Sequence, residues 1–150
     1  MTHDYTASDT LFLDWRDIHR DSLALADRLE SLGPFRGIVA VARGGLVPAA
    51  IVARRLRLRL VDTVCVASYE HRRQGGVEVL KPLQGDGDGW LVVDDLADSG
   101  LTARTVRTML PKARYAVVYA KPLGRPDVDV WQVAVDQGVW LEFPWDSDAG

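Results

Sequence analysis

Residues 92–102 read VVDDLADSGLT. Three carboxylates, Asp94, Asp95 and Asp98, crowd together, and Ser99, Gly100, Leu101 and Thr102 follow at once. Adjacent like charges repel, so this pattern needs a chemical reason. A loop of small and hydroxyl residues that opens a helix presents backbone N–H groups to an anion, and a phosphate fits there. Acids beside a phosphate repel the ligand unless they bind something else. They can accept hydrogen bonds from the vicinal hydroxyls of a sugar, or hold Mg²⁺. A sugar phosphate satisfies both halves. The plainer account makes Asp94 and Asp95 solvated strand-end residues and Asp98 a helix N-cap. The Ser-Gly-x-Thr that follows favours the ligand account.

Three other places carry possible chemistry. Arg43 precedes Gly44-Gly45, which let backbone approach an anion closely. Lys121 precedes Pro122 and is equally well a strand terminus or a ligand donor. Trp140 lies in the apolar run VWLEF, where tryptophan is most often core. His71, in a polar stretch, reads as solvated, and Cys65, inside VDTVCVAS, as a buried inert thiol.

These residues need a scaffold. Helical spacing over 14–32 ends at Gly33-Pro34. GIVAVA (37–42) is a strand, and 46–57 a helix with Pro48 in its first turn. Further strands are expected at 61–68, 77–83, 90–95 and 115–120, with a helix at 102–110 and a loop at 70–76. The tail, from WQVAV (131–135) to WLEFPW (140–145), is extended and aromatic. Strands alternating with helices imply an α/β fold with a mostly parallel sheet covered on both faces. Ligands then sit beyond the carboxyl ends of the strands. ARGG, DDLADSGLT and KPLGRP all fall at such ends.

The chain has 150 residues, the size of one domain. Its 47% hydrophobic and 26% charged residues place it among ordinary globular proteins rather than disordered ones. A formal net charge of −3 provides no basic field for nucleic acid. One cysteine excludes an internal disulfide. No stretch is long and apolar enough to span a bilayer, and the first residues lack the pattern of a signal peptide, so a cytoplasmic location is expected.

VVDDLADSGLT resembles the phosphoribosyl-pyrophosphate (PRPP) signature of the type I phosphoribosyltransferases. VARGGLVPAA, VDTVCVASYEH, VLKPLQGDGDGWLVVDDLADSG, YAKPLGRP and WLEFPWD are similar, in order and spacing, to the 6-oxopurine branch of that family, from about Trp15 to Asp146. The resemblance implies one domain over 1–150 with the type I fold, a mostly parallel five-stranded sheet flanked by helices. It adds a mobile hood at about 70–77 and a base-binding tail at about 131–146. It implies Mg²⁺-dependent transfer of 5-phosphoribosyl from PRPP to N9 of guanine or xanthine, with hypoxanthine poorer, in purine salvage. N9 would attack C1′ opposite the pyrophosphate, with inversion. A homotetramer, and weak association with the inner membrane face, are implied as well, although no lysine-rich amphipathic helix supports the latter.

By the same resemblance, Asp94 and Asp95 hold the ribose hydroxyls, and Asp95 also serves Mg²⁺. The PRPP-binding stretch runs on through Leu96, Ala97 and Asp98, and Ser99, Gly100, Leu101 and Thr102 cradle the 5′-phosphate. Asp98 faces the purine as acid/base. Arg43 and Gly44 meet pyrophosphate at a turn containing a non-proline cis peptide. Lys121 donates to the 6-oxygen, Trp140 stacks on the base, and the Trp140–Leu141 backbone reads the 2-position. Three features depart from the family. Leu101 stands where close members have glycine, which implies a loop of changed stiffness. A hood arginine aligns with Gly75, so Arg72 or Arg73 would replace it. The chain ends soon after Asp146, where members carry a short extended tail. Two other classes share part of the pattern: a non-catalytic PRPP-sensing regulator, and a phosphoacceptor receiver domain with its own acidic pair and Lys-Pro.

Overall fold

Apolar runs alternating with amphipathic segments build an α/β domain in the computed structural model, which describes residues 10–68 and 76–146. The elements are β1 (Thr10–Phe12), α1 (Trp15–Glu30), β2 (Gly37–Ala42), α2 (Leu46–Arg55), β3 (Val61–Ser68) and β4 (Val77–Lys81). They continue with β5 (Trp90–Ala97), α3 (Leu101–Met109), β6 (Arg114–Ala120), a 3₁₀ turn (Arg125–Asp127), β7 (Val130–Ala134) and β8 (Trp140–Glu142). The main sheet has the order β4-β3-β2-β5-β6-β7. Its pairings are parallel except for antiparallel β3–β4.

The central strands are buried on both faces, as a parallel sheet under helices requires. Side chains alternate between two cores. Ile38, Ala40, Leu91, Val93, Ala116 and Val118 pack with Leu25 and Leu29 of α1 and Val52 of α2. Val39, Val41, Val92 and Val117 pack with Val106 of α3 and with Leu110. Leu25, Leu29, Val52 and Val106 are wholly buried, and each contributes about 1.5–3 kcal/mol of transfer free energy. The start of α1 is fixed by a capping box. Asp14 accepts from the Asp17 N–H at 2.8 Å, and Asp17 accepts from the Asp14 N–H at 2.9 Å.

Sheet order determines where the site lies. From β2 the chain passes to β3 on one side, while β5, β6 and β7 lie on the other. The β2/β5 boundary is therefore the switch point, where a crevice opens at the carboxyl ends. Those ends carry Arg43-Gly44-Gly45 and Asp94–Gly100.

Among the described residues the sheet has six strands where five are expected, because β7, from the extended tail, adds to β6 with Ala116 opposite Val130 and Ala120 opposite Ala134. Strand β5 outruns its expected end at Asp95, since its ladder to β6 continues through Leu96↔Tyr119 and Ala97↔Ala120. Asp94 and Asp95 thus lie inside a paired strand. Strand β1 escapes sequence patterning because three residues show no period. It pairs with β8, Thr10 opposite Trp140 and Leu11 opposite Leu141, so the N-terminal segment braces the tail. The hood expected at about 70–77, with Arg72, Arg73 and Gly75, lies outside the described residues through position 75, and Val77 already belongs to β4. Among the described residues, no helix is long and apolar enough to cross a membrane.

Candidate active site

The acidic pair defines one wall. Asp94 is 6% exposed. Its carboxylate accepts from the Asp95 N–H at 2.8 Å, and that of Asp95 accepts from the Leu96 N–H at 2.7 Å. Burial, and then the neighbouring Asp95 charge, hold the Asp94 carboxyl well above the usual carboxylate range. Burial pushes Asp95 up too, against the hydrogen bonds it receives. A folded-state pKa above the unfolded one gives a contribution present in full below the unfolded pKa and lost as pH rises through the folded one. At neutral pH the pair therefore opposes folding. Asp94→Asn, which keeps the shape and the acceptor oxygen, should raise Tm at pH 7, by about 2–4 °C per kcal/mol relieved. The gain should vanish towards pH 3, where both carboxyls are neutral. Thermal melts across that range check it, and a lower Tm at pH 7 would refute it.

The turn after β2 presses against this pair. A Cβ on Gly44 would sit 2.7 Å from Asp95 Cγ, and one on Gly45 would sit 2.8 Å from the Val41 carbonyl oxygen. Only glycines allow the approach. The Ala42–Arg43 peptide in this turn is cis, and the Arg43 side chain is exposed.

Beyond Ala97 the chain turns into α3. Gly100 has φ +89, and a Cβ there would meet Arg104 Nη1 at 2.9 Å and Asp127 Cγ at 3.1 Å. Arg104 pairs with Asp127 at 2.6 Å, which ties the start of α3 to the 3₁₀ turn. Gly100→Ala combines left-handed strain of about 1–3 kcal/mol with that crowding. The expected outcome is a Tm several degrees lower, and an unchanged melt would refute it. Leu101 is the first helical residue, where no positive φ is needed, so the departure from glycine carries no backbone strain. Its N–H donates to Ser99 Oγ at 3.3 Å.

Asp98 lines the same site. Its Oδ2 accepts from Lys121 Nζ at 3.2 Å, and its Oδ1 from Gln137 Nε2 at 2.8 Å. Lys121 is 4% exposed. It is placed by β6, and its own N–H donates to the Ala97 carbonyl at 2.9 Å. A buried ammonium without this carboxylate would be costly.

These groups line one cleft of about 420 Å³, formed by residues 94–103 with Tyr115, Lys121, Trp140, Leu141, Phe143 and Asp146. The structure thus brings together Asp94 to Thr102, Lys121, Trp140 and Leu141. Arg43 and Gly44 are not among the cleft's lining residues, but Gly44 packs against Asp95, which is. Trp140 is 61% exposed rather than core, and its Nε1 donates to Glu142 at 3.2 Å. Leu141 is buried and fixes β8 to β1.

Sequence reasoning missed Gln137, Tyr115, Phe143 and Asp146. Tyr115 and Phe143 sit in apolar runs and read as core. Gln137 lies in a short polar turn, and only the fold carries it to Asp98. Asp146 stands in the quoted WLEFPWD and accepts from the Phe143 N–H at 3.0 Å, a local turn contact.

A doubly wound sheet whose acidic strand β5 leads through Asp98 into a glycine-hinged helix start has the parts of a sugar-phosphate site, carboxylates for hydroxyls and N–H groups for a phosphate. The chain belongs to the phosphoribosyl transferase domain family, which matches residues 24–148. A xanthine-guanine phosphoribosyltransferase of Nitratidesulfovibrio vulgaris is 55% identical over 135 residues, covering 89% of this chain and 83% of that protein. A xanthine-guanine phosphoribosyltransferase of Chromohalobacter salexigens is 56% identical over 134 residues, covering 89% and 82%. Among solved structures, a purine phosphoribosyltransferase from Pyrococcus horikoshii superposes with a TM-score of 0.78 at 27% identity, covering 92% and 95% of the two chains. The receiver alternative falls here, because the family is a different one and the acidic pair lies on β5.

Proposed function

We propose that the chain transfers the 5-phosphoribosyl group from PRPP to N9 of guanine or xanthine, releasing pyrophosphate, with hypoxanthine the poorer acceptor. The carrying observation is Asp98, held by Lys121 and Gln137 in the same cleft as the β5–α3 turn and Trp140. The names of the relatives support the choice of base.

The roles follow the chemistry of each group. Asp94 and Asp95 accept from the ribose hydroxyls. The N–H groups and hydroxyls of Ser99 to Thr102 take the 5′-phosphate at the start of α3. Arg43 and the Gly44 backbone meet the pyrophosphate, for which a guanidinium is well suited. Trp140 offers an exposed ring for stacking, worth about 1–3 kcal/mol by analogy with bases on aromatic side chains. Strand β8 has a strand partner on one edge only among the described residues, so its Trp140–Leu141 backbone has a free edge for the 2-position. Lys121 donates to the 6-oxygen. Asp98 exchanges the proton on the base as N9 attacks C1′. The carboxylates suit the positive charge that develops on the ribose.

No group of three or more His, Cys, Asp or Glu side chains placed to hold a metal occurs among the described residues. The donor set still fits Mg²⁺, which takes one or two carboxylates and completes its shell with substrate phosphates and water. Asp95 would hold it, and the ion when bound neutralises charge on the departing pyrophosphate.

We propose a single domain in the cytoplasm and, by likeness to the family, a tetramer with weak contact at the inner membrane face. Exposed Leu60, Val61 and Leu80 along the β3–β4 edge are in keeping with assembly. Incubation with PRPP, Mg²⁺ and guanine, followed by chromatography, should give GMP, and xanthine should give XMP. A chain that binds PRPP and forms neither nucleotide would be the sensing regulator instead.

A further inference from the structure

Gln137 joins three loops. Its Nε2 donates to Asp98 Oδ1 at 2.8 Å, after β5. Its Oε1 accepts from the Leu123 N–H at 2.9 Å, after β6. Gln137 itself sits between β7 and β8, three residues before Trp140. Both ends of the amide are thus occupied, which fixes its orientation: a flipped amide would set N–H against N–H at Leu123 and oxygen against carboxylate at Asp98. Lys121 takes the other carboxylate oxygen, at 3.2 Å. Asp98 therefore has both oxygens claimed from different directions, and the plane of its carboxylate is set.

That plane matters if Asp98 moves a proton. Lys121 alone would leave the carboxylate free to pivot about Oδ2. Among the described residues, the Gln137 contact is what stops the pivot, and the Leu123 N–H holds Gln137 in place. We infer that Gln137 is a positioning residue, which acts through Asp98 to keep its free lone pairs aimed at the base. The inference rests on the proposed transfer reaction and deepens it.

The test is a double-mutant cycle on PRPP and guanine. Gln137→Met removes these two hydrogen bonds and the longer one from Nε2 to the Asp98 backbone carbonyl, at 3.4 Å, at similar side-chain length. It should lower kcat about 10²-fold, as loss of reactant alignment does, while KM for PRPP stays within a factor of about two. In the Asp98→Asn background, Gln137→Met should cost little further, because a residue acting through another has nothing left to act on. Gln137→Glu keeps the acceptor for Leu123 but sets a second carboxylate against Asp98. It guards against a misfolded methionine variant, and its kcat should fall at least as far. Losses that multiply in the double mutant, or wild-type kcat in Gln137→Glu, would overturn the inference and leave the function standing. A wild-type chain that forms no nucleotide would overturn the function, and the inference with it.

Discussion

Adenine should be used about 10⁴–10⁵ less efficiently than guanine in kcat/KM. The argument rests on Lys121. An ammonium has three donors and no acceptor. One N–H suffices for Asp98, which leaves donors for the base. Guanine, xanthine and hypoxanthine each present a carbonyl oxygen at C6. Adenine presents an amino group, so donor would face donor. Lys121 is 4% exposed, so water cannot make up the loss cheaply. Lys121→Ala should raise KM for guanine and narrow the gap to adenine. Steady-state kinetics with both bases decide it, and comparable use of adenine by the wild type would refute the assignment.

Asp98→Asn should lower kcat about 10²–10⁴-fold, the usual worth of a general acid/base. The substitution is nearly isosteric but removes one acceptor. Lys121 and Gln137 both donate to Asp98, and an amide can satisfy one while its NH₂ opposes the other. Some loss of Tm is therefore expected alongside the loss of rate, because Lys121 is left poorly paired in a buried place. The two effects separate by experiment: melts report the pairing, and kcat at a temperature where the variant is fully folded reports the chemistry. An unaffected kcat would remove Asp98 from the reaction.

Much of the site was legible because its chemistry is local. Asp94 to Thr102 form one run, and the physics of a strand end turning into a helix suffices to suggest a phosphate. Lys121 and Trp140 were ambiguous as residues and gained meaning from the resemblance. The structure adds that one is buried against Asp98 and the other is exposed at the cleft. What stayed hidden depends on long-range contact. Gln137 is 39 positions from Asp98, and no pattern joins them. Strand β1 is too short to show a period, yet it braces Trp140 from the far end of the chain. The end of β5 was misplaced because charge suggested a stop. The ladder with β6 continues, and the strand buries the Asp94 carboxylate within it, which costs stability.

Phosphorus NMR of PRPP with the protein, Mg²⁺ and guanine follows the transferred phosphate and the leaving group together. The account predicts that PRPP signals decay while pyrophosphate and GMP grow in equal amounts, and that PRPP persists when guanine is left out. PRPP that stays intact with guanine present, or pyrophosphate released without nucleotide, would contradict it.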